Sequence, residues 1–573
     1  MTRRGARWGW SDARNLQAGQ GMTDARGVDY VIVGGGSAGC VRASRLSEDP
    51  SVEVLLLEAG PRDWDPLIHI PLGMGKMHEW KLHDWGYRSE PEPFLNDRRI
   101  ELKRGKVLGG SSSVNVMAYT RGHPGDYDRW ARNGAKGWSF GDVLPYFRKS
   151  ETWEGGGSEF RGASGPIGTE FGKTKDHLYD RWREAAAAKG YDVTPDLNGA
   201  QAAGFGRSQY TIRGGRRSST SSAYLKPVAG RRNLRVMTGV HATRILFRGN
   251  RATGVEYLGA SGLSRVEASI EVLLCGGVYN SPQLLMLSGI GHPDHLRAMD
   301  IEPWLDLPVG DNLQDHVVAQ LWYERVGSGP FRETMRFDRM ALAMVRAYLF
   351  GTGPATIVPG GLYAYVKTKP SLDVPDLGFM FRSAPAGAHL WFPGVRPAYR
   401  DGFGIRAALL HPASRGRICL RSADPLDPVR VYGSFLSAPE DARALHRGII
   451  LARDLAQDSA MDGMRGRELA PGPQVEDDAA LEAWMRKVAI TANHPCGTCA
   501  IGADGAVLDP ELRVRGTQGL RVVDASAMPD LVSGNINACV IMMAERAADL
   551  IRGTSPHLVT AGADLAAGTA PEG

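Results

Sequence analysis

Four groups of side chains in this sequence have types and spacings that could do chemistry. The first is a glycine-rich turn, Gly34-Gly-Gly-Ser-Ala-Gly39. Gly34 permits a tight turn, Gly36 lets a pyrophosphate approach the backbone, and Gly39 lets a helix pack closely on a strand. The second is His494 in Thr491-Ala-Asn-His-Pro495, with Asn537 following 43 residues later. A neutral imidazole, which ordinarily titrates near ~6.5, can take a proton at neutrality. An amide can hold an oxygen without competing for that proton. On residue types alone His494 is either such a base or a satisfied buried imidazole, and Asn537 either an oxygen holder or a helix cap. The third group is Cys496-Gly-Thr-Cys499. A zinc site needs about four ligands and the chain has no second Cys-x-x-Cys, so no metal is expected and the pair reads as structural thiols. The fourth is Asp315-His316, which has the look of a dyad.

The first group comes with the elements that must position it. Val28-Asp-Tyr-Val-Ile-Val33 is an apolar, β-rich run of the kind a buried parallel strand shows. A helical pattern follows the glycines, with Ala38, Val41 and Leu46 on one face, and Pro50 stops it. Val52-Glu-Val-Leu-Leu-Leu57 reads as a second strand, with Glu58 at its tip. A carboxylate there can accept hydrogen bonds from a ribose, and the helix start turns free N–H groups toward the phosphates. The unit predicts a dinucleotide site without separating a flavin from a nicotinamide. Asn537 stands at the start of a second predicted helix, 538–551.

The rest of the chain bounds the answer. Its 573 residues are 43% hydrophobic and 23% charged, an ordinary globular composition that excludes a mostly disordered chain. The 68 basic and 63 acidic side chains leave a net charge of only +5. No Lys/Arg run suggests a nucleic-acid groove, so that partner is not expected. Six cysteines are too few for a disulfide scaffold. No stretch approaches the ~20 apolar residues of a spanning helix, so no transmembrane anchor is expected. The expected location is cytoplasmic, with peripheral contact to a membrane left open. The first 21 residues carry twin arginines but no apolar segment, and are expected to be disordered, as is the tail 554–573.

Further segments carry a family resemblance. Arg104-Gly-Lys-Val-Leu-Gly-Gly-Ser-Ser-Ser-Val-Asn115 resembles the first signature of the glucose–methanol–choline oxidoreductases, and Gly277-Val-Tyr-Asn-Ser-Pro-Gln-Leu-Leu-Met-Leu-Ser-Gly-Ile-Gly291 the second. Val309-Gly-Asp-Asn-Leu-Gln-Asp-His316, the His494–Cys499 segment and Val523-Asp-Ala-Ser with Gly534-Asn-Ile-Asn537 complete the set in family order. The flavour is choline dehydrogenase-like. The resemblance implies an α/β protein, with a doubly wound FAD-binding domain and a second α+β domain whose mixed or antiparallel sheet roofs the substrate. It places FAD along Gly34, Gly36, Ser37, Ala38, Gly39 and Glu58, then Gly109, Ser111, Asn115, Val116, Met117 and Ala118. It adds Val240, whose strand offers backbone to adenine, and Asp524, Ala525 and Asn535 near the phosphates or ribityl chain. Some relatives tether FAD through a histidine just before the Asn of the first signature. Val114 stands there, so non-covalent FAD is expected. In the family the Asp315–His316 segment is structural and touches the cofactor.

Boundaries follow from the motifs: 1–26 an N-terminal extension, 27–150, 226–320 and 486–553 the FAD domain, and 151–225 with 321–485 the substrate domain. The latter holds Tyr363, Tyr365, Phe379, Phe381, Trp391, Phe392, Tyr399 and Phe403, read as its roof or its core. The resemblance implies oxidation of a primary alcohol to an aldehyde. His494 would be the base, Asn537 would orient the oxygen, and electrons would pass to oxygen or a quinone-type acceptor. A hydroxynitrile-lyase-like or fatty-acid-photodecarboxylase activity on the same scaffold is the alternative; the oligomeric state stays open. Pro359 stands where choline oxidisers carry a carboxylate, and no acid lies between Gly351 and Lys369, which turns the expectation from choline toward a neutral alcohol.

Overall fold

The computed structural model describes residues 27–385 and 387–553; the expected N-terminal extension and tail lie outside the described residues. β1 (Val28–Val33), α1 (Ser37–Leu46) and β2 (Val54–Glu58) form the predicted βαβ unit. β1 pairs in parallel with β2, Val31 opposite Leu55 and Val33 opposite Leu57. The long strand Gly262–Leu274 lies parallel on the other side of β1, Leu234–Thr238 continues the sheet beyond β2, and Leu520–Val522 continues it beyond Gly262–Leu274. Val31, Ile32, Leu55 and Leu56 are buried because both faces of this parallel core are covered. An antiparallel pair, His241–Arg248 and Arg251–Gly259, extends from the outer half of Gly262–Leu274.

α1 departs from its predicted one-sided pattern: it is buried nearly all round. The C-terminal helix Asn537–Arg552 packs on its other side. Arg42 donates to the Ala544 carbonyl, and Arg45 grips Glu545 through two bonds of 2.9 and 2.8 Å. The two ends of the chain are thereby joined beside the glycine turn.

The second sheet is antiparallel. Its strands run in the order Arg465–Ala470, Val317–Arg325, Gly402–Leu409, Leu377–Arg382, Gly360–Val366 and Gly204–Arg207, with Ile490–Thr491 also paired to Val317–Arg325. One face is aromatic: Phe379, Phe381 and Phe403 are buried, and Trp182 of the helix Leu178–Ala188 packs on Phe381 and Phe403. Alternation turns Tyr363, Met380 and Arg406 to the opposite face. Val317–Arg325 and Ile490–Thr491 begin within stretches expected to serve the FAD domain, so residues 316 and 494 stand where the two sheets meet. Among the described residues no helix is long and apolar enough to cross a membrane.

Candidate active site

A cavity of about 730 Å³ runs from the glycine turn to the second sheet. Its wall includes Gly34, Gly36, Ser37, Ala38 and Glu58 at one end, then Ser111, Asn115, Val116 and Ala118, with His494, Asn535 and Asn537 beyond. Val240, Asp524 and Ala525 also reach it. Gly39, Gly109 and Met117 are absent from the wall. Gly39 serves packing, as predicted: a Cβ there would stand 1.8 Å from the Gly34 carbonyl oxygen. Gly109 donates to the Gly35 carbonyl at 2.7 Å and so fastens the serine-rich loop onto the turn. Met117 is buried among Ile68, Val107 and Tyr210.

The glycines at the cofactor end do different work. Gly34 has a φ of +101°, which only glycine adopts without strain. A Cβ on Gly36 would meet nothing nearer than 3.9 Å, so the backbone there is open to a guest. Glu58 accepts from the Gly35 and Gly60 N–H groups, each at 2.7 Å. Burial pushes its carboxyl up to about 7 against the pull of those two bonds. Two accepted bonds leave lone pairs for ribose hydroxyls. At the far side of the turn, Asp524 accepts from the Gly277 N–H at 2.9 Å and the Ser281 hydroxyl at 2.6 Å. A bare backbone turn, a buried carboxylate on the cavity wall and a loop of small residues leading to an imidazole fit a flavin dinucleotide. Val114 lines the cavity with no nucleophilic group, and its carbonyl accepts from His78 Nε2 at 2.9 Å.

His494 is held by a chain of hydrogen bonds that assigns its tautomer. His316 Nε2 lies 3.0 Å from the Leu410 carbonyl, which can only accept, so Nε2 carries the proton. Burial holds His316 down to about 3, so the ring is neutral and its Nδ1 bears a lone pair. His494 Nδ1, 2.9 Å away, donates to that lone pair. His494 Nε2 is left unprotonated, 2.8 Å from the Asn535 Nδ2 amide, which donates to it. Burial, then the neighbouring His316, Arg104 and Arg406, hold the His494 imidazole well below its ordinary value. Asp315 fixes the backbone: one oxygen accepts the His494 N–H at 2.9 Å, and the other takes the Thr491 hydroxyl.

One expectation is corrected by this arrangement, and Asn535 takes a place beside the imidazole that the sequence did not give it. Asp315 and His316 lie behind the cavity wall rather than on it, and act by holding His494. The amide against His494 Nε2 belongs to Asn535; Asn537 instead accepts the Ser37 hydroxyl at 2.7 Å, with its Nδ2 donors left without a partner among the described residues. Of the aromatic group only Tyr363 and Phe381 reach the cavity. Cys496 and Cys499 are free and buried, and burial pushes both thiols up. Reading by local motif missed His78, Arg382 and Arg406, which also line the cavity. The signal for the two arginines was a charged residue in an otherwise apolar strand, at the end of Leu377–Arg382 and inside Gly402–Leu409; His78, on the helix Met74–Glu79, carried none.

A doubly wound parallel core with a dinucleotide turn, a roofing antiparallel sheet and one imidazole between them define a flavin-dependent oxidoreductase. The chain belongs to the GMC oxidoreductase family, whose N-terminal profile matches residues 28–318 and whose C-terminal profile matches 412–544. It is 40% identical to the mitochondrial choline dehydrogenase of Mus musculus, over 91% of this chain and 89% of that protein. It is 39% identical to the oxygen-dependent choline dehydrogenase of Staphylococcus xylosus, over 92% of this chain and 95% of that one. Among solved structures, pyridoxine 4-oxidase from Mesorbium loti superposes with a TM-score of 0.81 at 32% identity, covering 91% of this chain and 98% of that one. The chain is thus an oxidoreductase of CH–OH donors that binds FAD.

Proposed function

We propose that this chain oxidises a primary alcohol to an aldehyde, with His494 as the base that removes the hydroxyl proton. The observation that supports it most directly is the hydrogen-bond chain from the Leu410 carbonyl through His316 to His494, which leaves a lone pair on His494 Nε2 at the cavity wall. Bound FAD supplies the acceptor for the hydride that leaves the α-carbon. An alcohol is a far weaker acid than an imidazolium, so the protein must both receive the proton and stabilise the oxygen it leaves. Asn535 Nδ2 and the unused Nδ2 of Asn537 donate toward that oxygen. The helix Asn537–Arg552 starts at the cavity wall, and its positive end favours negative charge there. Residues of the turn and of the serine loop hold the cofactor: Ser37, Ala38, Ser111, Asn115 and Ala525 as wall, Glu58 at the ribose.

Electrons then pass to oxygen or a quinone-type acceptor. The test is anaerobic mixing of the flavin-loaded protein with a panel of alcohols, followed by air. Bleaching with a primary alcohol is expected, and recolouring in air marks oxygen as the acceptor. His494→Ala should slow bleaching by a factor on the order of 10²–10⁴. An unchanged rate in that variant would remove His494 from the chemistry, and a flavin that no alcohol bleaches would end the reading.

A further inference from the structure

The wall that faces the substrate end is charged. Tyr363, Met380 and Arg406 stand opposite one another on three adjacent strands. Arg382 follows Met380 by two positions and so shares its face. Both arginines line the cavity together with His494. Among the described residues neither forms an ion pair. The electrostatic neighbours of Arg406 are Arg382, a second cation, and the Tyr363 hydroxyl. Its Nη2 reaches Gln320 Oε1 only at 3.4 Å, and its buried Nε has no partner. The carboxylates of the cavity are engaged elsewhere: Glu58 is bound to the glycine turn, Asp524 to Gly277 and Ser281, and Glu101 to Lys81 and Arg88.

A buried cation without a counter-ion is costly, and the half-buried Arg382 beside it adds to that cost. Burial, with Arg382 adding to it, brings Arg406 down to about 10, so the guanidinium still carries its charge at neutrality. A trimethylammonium guest would add a third like charge. A carboxylate would meet planar donors built to hold it through paired N–H···O bonds.

We infer that Arg382 and Arg406 form a carboxylate-recognition site, and that the alcohol oxidised here carries a carboxylate on the arm remote from its hydroxyl. The inference rests on the alcohol-oxidising reading above and names the substrate class of that same site. With the carboxylate on the arginines, the hydroxyl end is left for His494 and Asn535. The reaction then converts a hydroxy acid into an aldehyde acid: the hydroxyl proton goes to His494 and the α-carbon hydride to the flavin.

The test compares matched alcohols on the flavin-loaded protein, in the dark and without oxygen. One set is choline, its neutral carbon isostere and a hydroxy acid of similar length; the other is benzyl alcohol against para-(hydroxymethyl)benzoate. The carboxylate member of each set should exceed its neutral partner in the second-order rate constant of flavin bleaching by a factor on the order of 10², with choline slowest. In Arg406→Gln and in Arg382→Gln that ratio should collapse toward one. A second readout is calorimetric binding of benzoate, which cannot be oxidised; the wild-type protein should bind it and Arg406→Gln should not. A preference for choline or the neutral isostere overturns the inference. So does a carboxylate-to-neutral ratio that survives both substitutions. If neutral alcohols bleach the flavin while no carboxylate binds or reacts, charge selection fails and alcohol oxidation stands. If benzoate binds through both arginines yet no alcohol bleaches the flavin, the arginine site stands and the oxidation reading fails.

Discussion

His316 touches no substrate, and its replacement tests how the base is built. The side chain is buried and bonds the Leu410 carbonyl at 3.0 Å and His494 Nδ1 at 2.9 Å. His316→Leu removes both. The Leu410 oxygen and the His494 Nδ1–H are then buried without partners, which costs about 1–3 kcal/mol each in stability. The kinetic effect has a separate origin. With Nδ1 unpaired, the proton of His494 can sit on Nε2 and the ring can turn, so the competent tautomer is no longer imposed. Losing an orienting bond of about 1–3 kcal/mol corresponds to roughly a 10- to 100-fold slower reductive step. His316→Gln separates orientation from mere packing, because a glutamine amide donates to Leu410 and accepts from His494 Nδ1 at once. Stopped-flow bleaching should place Gln within about tenfold of wild type and Leu well below it, with flavin content and melting temperature showing that both fold. If Leu bleaches as fast as wild type, or Gln and Leu lose the same factor, the tautomer chain is not what arms His494.

Two more outcomes follow. Because burial and nearby cations hold His494 well below its ordinary value, the bleaching rate should stay flat as pH falls through the ordinary imidazole range and drop only below it, as the base takes up a proton. A pH–rate profile rising through ~6.5 or above would contradict this. The glycines of the turn should also divide. Gly39→Ala places a methyl 1.8 Å from a backbone oxygen and should abolish soluble folded protein, whereas Gly36→Ala, with 3.9 Å to spare, should fold and lose FAD affinity. Expression yield and flavin titration separate the two, and equal behaviour would mean that Gly36 does not border the cofactor.

The cofactor end was legible because its information is local. A strand, a turn, a helix and a strand within ~30 residues carry the hydrophobic period and the glycine spacing together, and β1 came out at Val28–Val33 as read. The C-terminal helix was likewise found to within a residue at each end. The substrate end was not legible, because its neighbours are set by register between distant strands. Nothing near residue 494 says that 316 lies against it, and nothing near 380 says that 406 lies opposite. The two candidate amides show the finer limit. Asn535 and Asn537 stand two positions apart at a helix start, and the turn of the backbone there decides which one meets the imidazole.

The low proton affinity of His494 raises a question of mechanism, because a weakened base is a poor partner for an alcohol. The answer lies in what weakens it. Burial weakens it most, then His316 and Arg104, and Arg406 adds to this from the same wall that faces the substrate. A positive charge there lowers the proton affinity of the substrate oxygen along with that of the base. The difference between the two, which sets the cost of transfer, is therefore largely preserved. The imidazole meanwhile stays neutral at working pH. An anionic substrate changes the balance further in favour of reaction. A carboxylate held at Arg406 offsets that residue's share of the field that depresses His494, so the base recovers some proton affinity when the pocket is filled by the guest it selects. A cationic guest would do the reverse, pushing His494 lower still. Substrate charge and base strength are thus coupled through Arg406.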